Sequence, residues 1–145
     1  MKTTWIIFHT AFTGLGGVLG WFLGGTDGFI YALTGFVIAD YLTGVFAAIA
    51  EKQLSSAVGF KGIARKIAIF ALVGLANLLD VYVLESGTVL RTATIFFYLA
   101  NEGISLLENT ARLGLPVPSQ LRDTLAMLSK HDHKTETPQV EGELK

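Results

Sequence analysis

The residues able to do chemistry in this chain are few, and most lie inside apolar stretches. Asp40, Asn77, Asp80, Arg91, Asn101, Glu102, Ser105, Glu108 and Asn109 are set among aliphatic and aromatic neighbours. An ionisable group at membrane depth is costly, so each needs a partner or a purpose. Helical rise places Asp40 and Asn77 at similar depth near a bilayer midplane, where a hydrogen bond between neighbouring helices is the plain expectation. Asp80 and Arg91 flank the turn-forming Glu85-Ser86-Gly87, so a pair near one membrane surface is expected. Glu102 has no evident basic partner within the membrane. It belongs to a polar stripe of Tyr98, Asn101, Glu102, Ser105, Glu108, Asn109 and Arg112, spaced three and four apart on one helical face. Such a stripe can face another helix, the headgroup layer, or water in a pore.

Nothing in the sequence assembles a catalytic, cofactor-binding or metal centre, and no enzyme activity is expected. There are no cysteines, which excludes disulfides, thiol catalysis and cysteine metal sites. His131-Asp132-His133 lies in a polar tail without a preorganised cage, and reads as a solvated charge run. His9 has no triad or ligand partner. Gly14-Leu15-Gly16 lacks the strand, helix and downstream acid of a nucleotide site. A formal net charge of −1 with no basic patch among aromatics points away from nucleic acid.

The elements carrying these residues read as membrane spans. The chain is 51% hydrophobic and 16% charged, with mean hydropathy +0.52, against about 25% charged for soluble domains. No Asp, Glu, Lys or Arg occurs between Trp5 and Gly25, and Asp40 is alone between Gly28 and Ala50. A bilayer core of roughly 30 Å needs about 20 helical residues. Four segments qualify, at about 5–24, 29–50, 67–84 and 89–107. The first is too long for the apolar core of a signal peptide and has no clear cleavage site. The fourth is the weakest: it is read as a span, the alternatives being a span formed only in an assembly or an amphipathic helix in the interface. After Gly114, Leu-Pro-Val-Pro-Ser stops any helix. Ser119 then caps a short amphipathic helix with Leu121, Leu125 and Leu128 on one face.

Orientation follows from the basic residues. Lys2, the 51–66 loop with Lys52, Lys61, Arg65 and Lys66, and the C-terminal segment with Arg112, Arg122, Lys130 and Lys134 carry them. The two tight turns hold only Asp27 and Glu85. The positive-inside rule puts both termini and the 51–66 loop in the cytoplasm. The expected fold is an all-α integral membrane protein with four transmembrane helices in two hairpins, N-in/C-in, plus a short amphipathic C-terminal helix. Residues 1–114 form the transmembrane domain, 115–130 the cytoplasmic helix and 131–145 a disordered polar tail.

Gly16, Gly20, Gly24 and Gly28 recur every fourth residue, and the second span adds Gly35, Ala39, Thr43 and Ala47, with Gly44 beside them. Small residues at this spacing let helix backbones approach closely, in one chain or between copies. Two such faces favour homo-oligomerisation within the lipid bilayer.

Two blocks of the chain resemble the toxin secretion/phage lysis holin family (phage holin family 4). The first is DYLTGVFAAIAEKQLSSAVGFKGIARK at 40–66, matching at Asp40, Thr43, Gly44, Leu54, Ser55, Ser56, Gly62, Arg65 and Lys66. The second is FFYLANEGISLLENTARLGLPVPSQL at 96–121, matching at Phe97, Tyr98, Asn101, Glu102, Ser105, Glu108, Asn109, Gly114, Pro116 and Pro118. The resemblance covers roughly 28–129, while the first span and the tail match only in character.

The resemblance implies a phage-type holin of the bacterial (host) cytoplasmic membrane. Holins accumulate there, cluster, and open large non-selective holes through which endolysin escapes and causes lysis; some relatives are associated with release of a large toxin. The expected partners are lipid and other copies of the chain, without necessary contact to the cargo. No second Met follows Met1 closely, so paired-start control is not expected. The competing readings are a small ion channel or transporter, and a non-conducting antiholin or scaffold.

Overall fold

The structure, a computed structural model, describes residues 1–133, with side chains described through Met127. Five helices follow one another: α1 (Lys2–Phe22), α2 (Gly28–Ala50), α3 (Ser56–Leu79), α4 (Val89–Arg112) and α5 (Ser119–His133). A π-helical turn, Asp80–Leu84, continues α3. Residues 134–145, most of the expected disordered tail, lie outside the described residues, and the tail's first three residues belong to α5.

Local chemistry sets the boundaries. The α1–α2 turn uses Gly24 and Gly25 at φ +77° and +99°, a left-handed conformation that glycine adopts without a Cβ penalty. The Asp27 carboxylate then accepts from the Ile30 N–H at 3.0 Å and caps α2. Ser55 caps α3 in the same way through the Val58 N–H, at 3.2 Å. This cap lies eleven residues upstream of the Lys66 boundary expected for the 51–66 loop, most of which is therefore helical: only Glu51–Ser55 connect α2 and α3. Ser56 onward has no proline, so a capped start lets the helix include Lys61, Arg65 and Lys66. Gly114 at φ +78° and the two prolines end α4 as expected.

Three helices are long and apolar enough to cross a membrane: α1, α2, and α3 with its π turn. α4 is 24 residues long but too polar to join them. It is instead the hub of the molecule, packing against α2, α3 and α5. One layer of the interior is apolar, with Ile30, Leu33 and Val37 of α2, Ile69 and Val73 of α3, and Ile95 of α4. Their spacings of three and four form one buried stripe per helix.

α1 stands apart. None of its residues is buried, and it touches the rest of the molecule only near its C-terminal end. There Phe22 lies so close to Gly74 of α3 that a Cβ on Gly74 would fall 1.9 Å from the ring. Asn77 donates to the Phe22 carbonyl at 3.2 Å and holds the same end.

Candidate functional site: a buried charge layer in the helix core

The buried stripes of α2, α3 and α4 continue past the apolar layer into a charged one. Lys66 of α3 forms ion pairs with both Asp40 of α2 and Glu102 of α4. Asn109, two turns beyond Glu102, donates to the Asp40 carboxylate at 3.0 Å and to the Asp40 carbonyl at 3.3 Å. Asp40, Glu102 and Asn109 are all buried. Helical rise puts Lys66 about 15 Å from the start of α3, and Glu102 about 15 Å from the end of α4, so the layer lies deep between the helix ends. The patterning is continuous: Val37 to Asp40, Lys66 to Ile69 and Ile95 to Glu102 each stay on the inward face at helical spacing.

Two expectations are corrected here. Asp40 does not pair with Asn77: α2 and α3 pack with Asp40 level with Lys66, which precedes Asn77 by about 16 Å of helix, so Asp40 takes Asn109 from α4 while Asn77 turns to the Phe22 carbonyl. Glu102 does have a basic partner. The sequence pattern puts Lys66 in a loop, and only the longer α3 carries its ammonium into the core. The signal that could have found it is the placement of Lys66 three residues before Ile69 and seven before Val73, on one helical face.

A second polar node closes the opposite end. The Arg91 guanidinium, 2% exposed, donates to the Asp27 carboxylate at 2.7 Å, the Leu23 carbonyl at 2.5 Å and the Gly25 carbonyl at 3.2 Å. The expected Asp80–Arg91 contact exists, but through the Arg91 backbone N–H, at 2.8 Å. Asp80 also accepts from the Leu90 N–H at 3.0 Å and the Ser86 hydroxyl at 2.8 Å. It thus serves as the N-cap that Thr88 does not supply to α4, which frees the guanidinium for the α1–α2 turn. The Arg91 hydrogen bond holds the Asp27 carboxyl below its ordinary range, against a smaller opposing effect of burial.

The α4 stripe divides in two. Glu102 and Asn109 face inward, Tyr98 and Ser105 are half-buried, and Asn101, Glu108 and Arg112 are exposed. Arg112 bridges to Glu51 at 2.9 and 2.5 Å and to Asn109 at 3.2 Å. Its guanidinium lowers the Glu51 carboxyl below the ordinary range through that hydrogen bond. Of the glycines expected to pack helices, Gly44 abuts Asn109, with a Cβ position 3.3 Å from its amide nitrogen. Gly24 sits in the turn against Asn77 and Arg91. Gly16, Gly20, Gly28 and Gly35 have open space where a Cβ would lie. The close approaches missed from sequence are Gly74 on Phe22 and Gly103 on Leu125 of α5.

Among the described residues, no group of acidic or histidine side chains could hold a metal ion. The arrangement's chemistry is that of charge held in a helix bundle.

The chain is 44% identical over 120 residues to an uncharacterized protein of Listeria innocua, covering 83% of this chain and 85% of the relative. It is 40% identical over 116 residues to an uncharacterized 14.9 kDa protein of Clostridium perfringens, covering 79% and 87%. A protein of Bacillus phage phi105 named "Probable holin" is 40% identical over 100 residues, covering 68% and 73%. No solved structure matches. The model of the bacteriophage holin family matches residues 17–130, which include α2, α3, α4, the charge layer and most of α5. With its three apolar spans, the chain is a multi-pass membrane protein and belongs to the bacteriophage holin family.

Proposed function

We propose that this protein oligomerises in the host cytoplasmic membrane and opens large, non-selective holes that release an endolysin or a large toxin. The observation that carries this reading is the division of α4: Glu102 and Asn109 are locked inward, while Asn101 and Glu108 are open at neighbouring depths. An open polar face at membrane depth needs water or another subunit beside it. α1 supports the second requirement, association, because it is apolar, carries no buried residue and leaves Gly16 and Gly20 open. In this reading α4 is the fourth span, both termini are cytoplasmic, and copies join through α1. Their assembly turns the polar side of α4 toward water.

The test is lysis timing. Glu102→Gln or Glu102→Leu, co-expressed with an endolysin, is expected to shift the onset of lysis at equal membrane accumulation. Unchanged timing would sink the role given to the α4 stripe. An ion channel would show selective conductance without lysis, and an antiholin would accumulate without permeabilising the membrane.

A further inference from the structure

We propose that the basic end of the bundle holds the phosphate of an anionic phospholipid in a cavity between α2 and α3. The cavity has a volume of about 260 Å³, at the small end for a ligand site and suited to a compact headgroup. It exists because α2 and α3 barely touch and because Gly44, Gly59 and Gly62 line it without side chains. Its walls are apolar at Val45, Leu54 and Val58. Its polar floor is already committed. Asp40 and Lys66 are paired with each other, and Arg112 is engaged by Glu51 and Asn109. Arg65 is different: among the described residues it lines the cavity with no ion pair or side-chain hydrogen bond. An unneutralised guanidinium beside apolar walls, above a polar floor whose charges are already paired, fits a ligand with a phosphate joined to an apolar body.

Position favours lipid over a soluble anion. The cavity opens between two membrane-spanning helices at the end bearing Lys52, Lys61 and Arg65, and basic pockets between spans on the cytoplasmic side take anionic headgroups. This inference rests on the orientation proposed above.

The test uses the full chain reconstituted in phosphatidylcholine with and without phosphatidylglycerol of the same acyl chains, with retained lipid read by native mass spectrometry. Phosphatidylglycerol should be retained preferentially. Arg65→Gln should lower that retention about fivefold, as expected for about 1 kcal/mol per basic residue at an anionic surface, and Arg65→Lys should restore most of it. Gly59→Leu should lower it too, by filling the cavity without altering charge; a Cβ there meets only the Tyr41 hydroxyl, at 3.8 Å. Equal losses for Arg65→Gln and Lys61→Gln would mean general surface attraction and overturn the site. Displacement by inorganic phosphate alone would overturn the lipid as its ligand. Retention is read without lysis, so a chain that binds lipid but opens no hole refutes the proposed function and leaves this inference standing.

Discussion

Lys66 and Glu102 meet across the α3–α4 interface, and Asp40 of α2 meets the same ammonium from the other side. One largely buried cation, its side chain 12% exposed, therefore serves two carboxylates. Removing one partner of a buried ion pair costs about 3–5 kcal/mol, because it strands the other charge. Lys66→Met should lose at least that much and accumulate poorly. Glu102→Gln keeps a polar group beside Lys66 and leaves one carboxylate per ammonium, so its loss should stay within about 1 kcal/mol. Unfolding in graded denaturing detergent, followed by circular dichroism, compares the two. Equal losses would refute the charge count.

Arg91 and Asp27 form a pair of unequal burial, 2% against 43% side-chain exposure. Arg91→Gln gives up the Asp27 pair and the charged donors to two carbonyls, and should cost about 3–5 kcal/mol. Asp27→Asn should cost less, because the carboxylate is partly exposed and screened, and the amide oxygen and two backbone carbonyls still accept from the guanidinium. The amide can still cap α2. Detergent unfolding midpoints of the two variants test the asymmetry.

Acid should weaken the same contact. The folded Asp27 carboxyl is held below its ordinary value of 3.8, first by the hydrogen bond from Arg91. A depressed folded value means the contribution is fully present above the ordinary value and is lost as pH falls through the folded one. The difference in unfolding midpoint between the native chain and Asp27→Asn should be constant near neutral pH. It should shrink below about pH 4. A difference that grew on acidification would reverse the sign.

Leu125 of α5 rests on Gly103 of α4, where a Cβ would lie 2.6 Å from the leucine methyl and 3.0 Å from the Phe36 ring. Gly103→Leu should therefore push α5 off α4, with overpacking worth about 1–3 kcal/mol. Tryptic cleavage at the exposed Arg122 should accelerate about tenfold or more, since each 1.4 kcal/mol is a factor of ten in the open population. Leu125→Ala in the same chain should recover much of the protection. Unchanged cleavage in Gly103→Leu would show that α5 docks elsewhere.

The helical class, the three apolar spans, both tight turns, the break after Gly114 and the family resemblance are legible from the residues alone. These depend on local composition, chain reach and turn chemistry, which are written along the chain. Even the weakness of the fourth segment was legible, in its Arg91, Asn101 and Glu102. Which charges meet depends on how the helices pack. Helical rise counted from the span ends sets Asp40 and Asn77 at one depth, but the packed helices bring Asp40 level with Lys66, about 16 Å of helix before Asn77. In that register Asp40 meets Lys66 of α3 and Asn109 of α4, and Asn77 turns to α1. Lys66 was hidden for a related reason. A basic run beside Gly and Ser reads as a loop, and the Ser55 cap becomes decisive only when the helix it starts has Glu102 and Asp40 to deliver Lys66 to.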